Sequence, residues 1–231
     1  FYHIDHAQWQ MLDESGQREA KTRFTELVQE IRTTTDTQLL TFAVATPKAD
    51  LGFMLLTPDL QIANAFEKRL TLSLGADVLT PSYSYLSQTE RSEYTTTSEQ
   101  YAGETLKGEQ GLKEGSAEFD AALKEFDDRM EHYLQHRLYP DLPDWPVICF
   151  YPMSKRRQGE DNWYALDYDE RRRLMKGHAT TGRKYSGRIL QLITGSTGLD
   201  DADPWKAPFF LRFRLYTLAI SPKSRSPCVC F

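Results

Sequence analysis

The chain has 231 residues, a formal net charge of −5, and 40% hydrophobic and 12% aromatic residues. This length allows one large domain or two small ones, each with a sizeable core. No apolar run approaches the roughly 18 residues of a membrane span. The first segment, FYHIDHAQW, has no basic start and no apolar run, so we do not expect it to be a signal peptide. It also lacks an initiator Met, so we expect a trimmed chain.

Cysteine usage and charge point to a compartment and a ligand class. The three cysteines, Cys149, Cys228 and Cys230, do not form a disulfide framework, so we expect a reducing, cytoplasmic setting. Residues 151–190 carry ten Lys and Arg against five Asp and Glu, a surplus of +5 that leaves −10 elsewhere. This local basic patch favours an anionic ligand over general nucleic-acid binding, although a solvated helix face would give the same pattern.

The first part of the chain predicts a strand, helix, strand, strand, helix, strand succession. The first strand is FYHIDH, and one helix runs from residue 7 to near Arg32 because Phe24, Leu27, Val28 and Ile31 have helical spacing. Strands TQLLTFAVA and LGFMLLT, helix PDLQIANAFEKRLTLS and strand DVLTPSYSYLSQTE follow. The predicted fold class is α+β, with the helices on one face of an antiparallel, ferredoxin-like sheet.

A polar stretch separates this first half from the second. Residues 90–117 are poor in aliphatic residues and rich in Thr, Ser, Glu and Gly, which predicts a linker or mobile surface loop. A helix over 118–138, strand VICFYPMSK, helix YDERRRLMKGH and strand GRILQLITGS come next, with capping-box spacing at Asp167 and Glu170. We therefore expect an N-terminal half over 1–118 and a C-terminal half over 119–231.

Strand VICFYPMSK brings unusual side chains together. Alternation along a strand would place Tyr151, Met153 and Lys155 on one face. In the next helix, His178 shares a face with Leu174, and we expect that face to point into the core. A lone histidine there is usually a satisfied core residue; as a functional residue it would suit an axial haem ligand, with Gly177 allowing close approach.

The other candidate residues carry weaker signals. His132 and His136 have the i, i+4 spacing of a metal-binding pair, but an exposed helix face explains them as well. Arg137 reads as a cation at a helix C-terminus. Gln191 lies in a strand, where an inward amide needs partners that a ligand could supply. No Walker, dinucleotide, G-x-S-x-G, H-E-x-x-H or RNP1 motif is present.

The stretch from Cys149 to Asp201 contains YPMSKRR, DNWY and GHATTGRKY, and it closely resembles the chlorite dismutase-like superfamily. Within that superfamily it looks like the coproheme decarboxylases. ADLGFMLL and PSYSYLS resemble the first half of the family, so the resemblance covers Phe1 to Asp201 outside the polar stretch. It implies two ferredoxin-like halves that form a dimeric αβ-barrel, assembled as a homopentamer.

The resemblance also implies a reaction and its residues. Iron coproporphyrin III would lose carbon dioxide from two propionates, with hydrogen peroxide as oxidant, to give haem b. By motif match, His178 would be the proximal iron ligand and Tyr151 the redox tyrosine that takes hydrogen from a propionate. Lys155 would supply a proton or anchor a propionate. We expect the basic surplus to bind the propionates through charge-assisted hydrogen bonds.

Three further residues would complete the implied site. Arg137 and Tyr151 would hold propionates, Met153 would line the same wall, and Gln191 would be the distal residue. Relatives that split chlorite carry Arg at that distal position, so Gln191 favours the decarboxylase. The alternatives are a chlorite dismutase or peroxidase-like haem enzyme, and a non-catalytic haem or coproheme carrier.

The tail departs from the family pattern. After Asp201 the family continues through a strand, a helix and a final strand, whereas residues 202–231 show a Phe/Leu/Arg alternation that could be one strand, then a Ser/Pro/Lys segment. A frameshift, a mispredicted gene end or a divergent tail would each give this pattern. We therefore expect the second half to be incomplete at its C-terminus, without the family's propionate-contacting Ser.

Overall fold

A computed structural model describes residues 1–196 and residue 199, and the backbone of residues 213–220. For Met153, too, only the backbone is described. Contacts divide the chain into two compact units, Phe1–Ser84 and Tyr85–Phe231. Residues 85–118, which the sequence analysis assigns to the first half, pack with the second unit.

The first unit contains the predicted succession of strands and helices. Its sheet is antiparallel with the order β2-β3-β1-β4, the order of a ferredoxin-like fold, so the predicted α+β class is confirmed. The elements are β1 (Tyr2–Ile4), α1 (His6–Met11), α2 (Glu14–Thr33), β2 (Gln38–Ala43), β3 (Leu51–Leu56), α3 (Leu60–Leu72) and β4 (Leu79–Pro81).

The first predicted helix is two helices. Leu12 is extended, with ψ of 132°, and ends α1, while Asp13 starts α2 by accepting a hydrogen bond from the backbone N–H of Gly16 at 2.7 Å. An aspartate stabilises a helix most as the N-cap, because its carboxylate accepts from the unpaired N–H groups of the first turn. Helical periodicity alone does not show this break.

The core of the first unit lies between its helices and its sheet. Ile31 on α2 is 0% exposed, Leu39 on β2 is 3% exposed, and Phe66 and Leu70 on α3 are 7% and 3% exposed. These side chains form one packed cluster. The helices of the first unit therefore pack directly against the sheet of the same unit.

The second unit contains a sheet with the order β5-β7-β8-β6, in which β8 is antiparallel to both β6 and β7. The order β7-β8-β6 matches the first three strands of a ferredoxin-like half. The elements are β5 (Gln88–Thr89), α4 (Ser98–Gln100), a π-helix (Tyr101–Glu109), α5 (Ala117–Leu138), β6 (Val147–Ser154), a 3₁₀ turn (Trp163–Ala165), α6 (Tyr168–Arg183), β7 (Ile189–Gly195) and β8 (Phe213–Ile220).

The prediction of a linker or mobile surface loop over residues 90–117 misses a helical segment, since α4 and the π-helix run from Ser98 to Glu109. Thr97 and Gln100 form a capping box that starts α4, and the π-helix continues from it. Leu106 is 0% exposed, and the ring of Tyr101 stacks on that of Phe126 with centroids 4.0 Å apart. These few apolar contacts hold a segment whose overall composition is polar.

The tail contains a strand where the sequence analysis allows one, since β8 pairs with β6 along its whole length and with β7 from Arg214 to Ile220. Residues 202–212 and 221–231 lie outside the described part, so the expected loss of the family's last helix and strand stays a prediction. Of the helices in the described part of the chain, none combines the length and apolar character needed to cross a bilayer.

Candidate functional site

The register of the second sheet places two predicted site residues on one face. Tyr151 of β6 pairs with Tyr216 of β8, and Gln191 of β7 pairs with Leu218, two residues along the same strand. Paired residues of antiparallel strands face the same side, and so do residues two apart, so Tyr151 and Gln191 share a face. Strand spacing puts their Cα atoms about 12 Å apart. Tyr151 is half-buried and Gln191 is exposed.

Lys155 follows the end of β6 and is held by an acid and aromatic rings. Its ammonium lies 3.7 Å from Oε1 of Glu93, and it stands 4.4 Å from the ring centroid of Trp163 and 5.8 Å from that of Tyr94. The side chain of Lys155 is 18% exposed. Carboxylate and ring faces both attract an ammonium, so these contacts fix the charged group at the end of the strand.

The neighbouring arginines are engaged inside their own loop. Arg156 donates to Oδ2 of Asp161 at 2.9 Å, and the guanidinium of Arg157 lies 4.4 Å from the ring centroid of Tyr164. Both arginines are exposed. Asp161 therefore offsets one positive charge of the basic surplus in residues 151–190. The side chain of Lys155 is less exposed than those of Arg156 and Arg157.

Arg137 lies in the last turn of α5, one residue before the helix ends, and it has an unsatisfied donor. Its Nε donates to the backbone oxygen of Glu90 at 2.7 Å, and Nη1 donates to the hydroxyl of Tyr133 at 3.3 Å. Nη2 is buried and has no hydrogen-bond partner among the described residues. A buried N–H without an acceptor is unfavourable, so an anionic acceptor at Nη2 would stabilise the site.

The prediction that the face of α6 bearing His178 and Leu174 points into the core is wrong. His178 is exposed, Leu174 is 47% exposed, and no described residue of α6 is buried. A Cβ built on Gly177 would meet no described heavy atom within 4 Å, so the backbone is open beside His178. The imidazole is thus presented on an accessible helix surface.

The N-terminal part of α6 explains why the helix stays in place without a buried face. Tyr168 stacks on Tyr94 with centroids 5.8 Å apart, and its hydroxyl donates to the backbone oxygen of Glu93 at 3.1 Å. Arg172 donates to both carboxylate oxygens of Glu104 at 2.9 and 2.8 Å. This hydrogen bonding holds the pKa of the Glu104 carboxyl below its usual range. Residues 93–104 therefore anchor α6 from outside the sheet.

The predicted site residues come from four places in the second unit. Tyr151 on β6 and Gln191 on β7 share a sheet face, and Lys155 follows the end of β6. Arg137 and His178 lie on two separate helices, α5 and α6. The backbone position of Met153 continues the Tyr151 alternation, but its side chain lies outside the described part. Sequence analysis missed Glu93, Tyr94 and Trp163 as partners of Lys155. Of these three, only Trp163 lies in a motif noted in the sequence, DNWY.

These residues suit an iron porphyrin that carries carboxylates. A porphyrin supplies four ligands to its iron and leaves a position for a ligand from the protein, which the exposed imidazole of His178 would suit. The buried Nη2 of Arg137 and the ammonium of Lys155 are the groups that would bind carboxylates.

A sequence model of the chlorite dismutase family matches residues 17–212. The chain belongs to the chlorite dismutase family. The match runs past Asp201, where the resemblance noted in the sequence ends. A solved structure of a haem-binding protein from Thermus thermophilus is 32% identical, covering 96% of this chain and 76% of that one, with a TM-score of 0.70.

A second similarity shows the fold of this family member. A mutant chlorite dismutase from Candidatus Nitrospira defluvii is 19% identical, covering 94% of this chain and 73% of that one, with a TM-score of 0.61. At this identity the two proteins share an architecture. The antiparallel α+β arrangement of this chain is thus the fold of its family.

Proposed function

We propose that this family member binds iron coproporphyrin III and removes carbon dioxide from two of its propionates with hydrogen peroxide, giving haem b. The observation that carries the proposal is the sheet register, which supports a phenol and an amide, Tyr151 and Gln191, on one face. The presence of Gln191, where chlorite-splitting relatives carry Arg, favours this reaction over chlorite chemistry.

Two cations of the second unit would bind the substrate carboxylates. Arg137 offers a buried N–H that lacks an acceptor among the described residues, and its other donors are fixed on Glu90 and Tyr133. Lys155 is oriented by Glu93 and Trp163. A propionate that approaches Lys155 would compete with the Glu93 carboxylate for the ammonium, and Lys155 could then donate a proton to it. Met153 would line the same wall.

Each decarboxylation consumes one molecule of hydrogen peroxide. A propionic acid arm and hydrogen peroxide give a vinyl group, carbon dioxide and two waters. The bound iron and peroxide supply the oxidation. Tyr151, half-buried on a rigid strand, would first lose one electron and its phenolic proton, and the resulting phenoxyl oxygen would then take a hydrogen atom from the arm and restore the phenol. Loss of a second electron from the arm, its carboxyl proton and carbon dioxide would leave the vinyl group. His178 would hold the iron, and Gln191 would be the distal residue that contacts the peroxide; both side chains are exposed.

The test mixes the full chain with iron coproporphyrin III and titrates hydrogen peroxide. The mass of the porphyrin product is measured at each step. The wild type should lose two carboxyl groups. Tyr151→Phe should bind the porphyrin with an unchanged absorption spectrum but leave its mass unchanged. The matched control is Tyr139→Phe, since Tyr139 is 73% exposed in the same unit. Decarboxylation by Tyr151→Phe at the control rate would remove the radical role.

One other function has a specific observation in its favour. The relative from Thermus thermophilus is described as haem-binding, and a non-catalytic haem or coproheme carrier would also use His178 and Arg137. Porphyrin binding without any mass change would support the carrier. Oxygen release from chlorite would instead support a chlorite dismutase or peroxidase-like enzyme.

We also propose that the chain works in the cytoplasm as a homopentamer. The absence of a disulfide framework supports a reducing compartment. Light scattering after size exclusion measures the assembly directly. A mass five times that of the 26.7 kDa chain is expected, and a monomeric mass would contradict the pentamer.

A further inference from the structure

A pair of histidines on α5 lies outside the proposed porphyrin site. Nε2 of His132 and Nε2 of His136 are 3.1 Å apart, and the two rings are nearly perpendicular, at 86°. Both residues are exposed. The spacing of four residues places the two imidazoles one turn apart on one helix face. Nothing in the proposed reaction uses them.

The separation of the two nitrogens fits a shared metal ion. With metal–nitrogen distances of 2.0–2.1 Å, a 3.1 Å separation corresponds to an angle at the metal of about 98°. This value lies between the right angle of square-planar or octahedral sites and the tetrahedral angle. The histidine χ2 torsion has a broad minimum, so small ring rotations can direct both lone pairs to one ion.

The surroundings of the pair favour a cation. His136 lies in the last turn of the 22-residue helix α5, where the partial charge of the helix end is negative. Asp128 lies one turn before His132 on the same side of the helix. The nearest arginines are engaged elsewhere: Arg129 lies 3.4 Å from Glu125, and Arg137 is bound to Glu90. Neither guanidinium is drawn toward the imidazoles by these contacts.

We propose that His132 and His136 form a two-imidazole chelate for a late first-row divalent metal ion. Within the described residues, no group of three or more His, Cys, Asp or Glu side chains could hold a metal, so water completes the coordination. The site is therefore open and exchangeable. Imidazole ligands and the order of first-row affinities make Cu²⁺ the tightest-binding ion, ahead of Zn²⁺ and Ni²⁺.

The experiment titrates Cu²⁺ into the full chain and follows heat and the electron paramagnetic resonance spectrum. One ion per chain should bind with two equatorial nitrogens. His132→Ala and His136→Ala should each weaken binding by at least about tenfold, because removing even an outer-shell partner of a metal ligand has effects of that size. Zn²⁺ should compete with Cu²⁺ for the site.

The matched control removes two imidazoles from the first unit, in the variant His3→Gln/His6→Gln, and should bind Cu²⁺ as the wild type does. Circular dichroism checks that each variant is folded, which the accessible positions of all four residues lead us to expect. Two-nitrogen binding that persists in His132→Ala/His136→Ala, or no binding by the wild type, would overturn the proposal. Neither result depends on porphyrin binding, because His178 is unchanged throughout.

Discussion

Each unit contains a strand, helical residues and two further strands in the same order, but the helices of the two units pack differently. In the first unit, α2 and α3 bury Ile31, Phe66 and Leu70 against their own sheet. In the second, α6 has no buried residue among those described and exposes Leu174. One version of the motif uses its helices to build a core, whereas the other presents a helix surface that carries His178. A helix that is not needed for the core is available to bind a ligand.

The largest test of this comparison truncates one aliphatic side chain in each unit. Ile31→Ala should lower the free energy of unfolding by about 2–5 kcal/mol, since it removes a fully buried side chain. Leu174→Ala should change it by less than about 0.5 kcal/mol, because the side chain is half exposed. Urea denaturation of the porphyrin-free protein measures both. Equal losses would show that α6 packs as α2 does.

A smaller effect is expected for the buried phenol of Tyr2 in the first unit. Its hydroxyl donates to Glu67 at 3.1 Å and lies 3.0 Å from the hydroxyl of Thr71. Tyr2→Phe should lower the free energy of unfolding by about 0.5–1.5 kcal/mol at neutral pH.

The same variant should change how stability responds to alkali. Burial raises the pKa of Tyr2 above its usual 10.0, so its contribution is complete below that value and is lost as the pH rises through the folded-state pKa. Urea midpoints of wild type and Tyr2→Phe should therefore converge above pH 10. A constant difference across that range would contradict this assignment.

The smallest effect concerns the anchor of α6 in the second unit. Arg172 lowers the pKa of the exposed Glu104 below 4.5, so the stability from this pair is present above pH 4.5 and is lost as the pH falls through the folded-state value. Glu104→Gln should reduce stability slightly at pH 7 and not at acid pH, and salt should shrink the difference. Thermal melts at both pH values check this, with Glu109→Gln, another exposed acid of the same segment, as the comparison.

Much of the fold could be predicted because it follows from local patterns. Local patterns located β6, β7 and α6, and the ferredoxin-like order of elements placed β1. The spacing of Asp167 and Glu170 predicted a real N-cap, in which Asp167 accepts from the Glu170 N–H at 2.8 Å. The helical segment after residue 90 was missed because its composition is polar. The spacing of Thr97 and Gln100 was a capping-box signal that could have found it.

The site was harder to predict because its contacts are not local. The apolar residue Leu174 could not show whether the helix face with His178 packs into a core or contacts a ligand. Either environment favours an apolar residue beside the histidine. The Nε bond of Arg137 reaches a backbone oxygen 47 residues away, at Glu90. The ion pair of Lys155 with Glu93 spans a similar distance along the chain. No spacing rule predicts such pairs, and the roles of these residues stay predictions.

The position of β8 between β6 and β7 has a consequence for biosynthesis. β8, the last strand that the structure describes, supplies the hydrogen bonds that join two strands made before it, β6 and β7. During translation, the segments that carry Tyr151 and Gln191 must therefore wait for residues 213–220 to leave the ribosome before they can lie side by side, whereas the first sheet needs nothing beyond Ser84. A ribosome that stalls before it has made residue 213 would carry a chain whose first sheet is complete and in which the sheet face shared by Tyr151 and Gln191 has not formed.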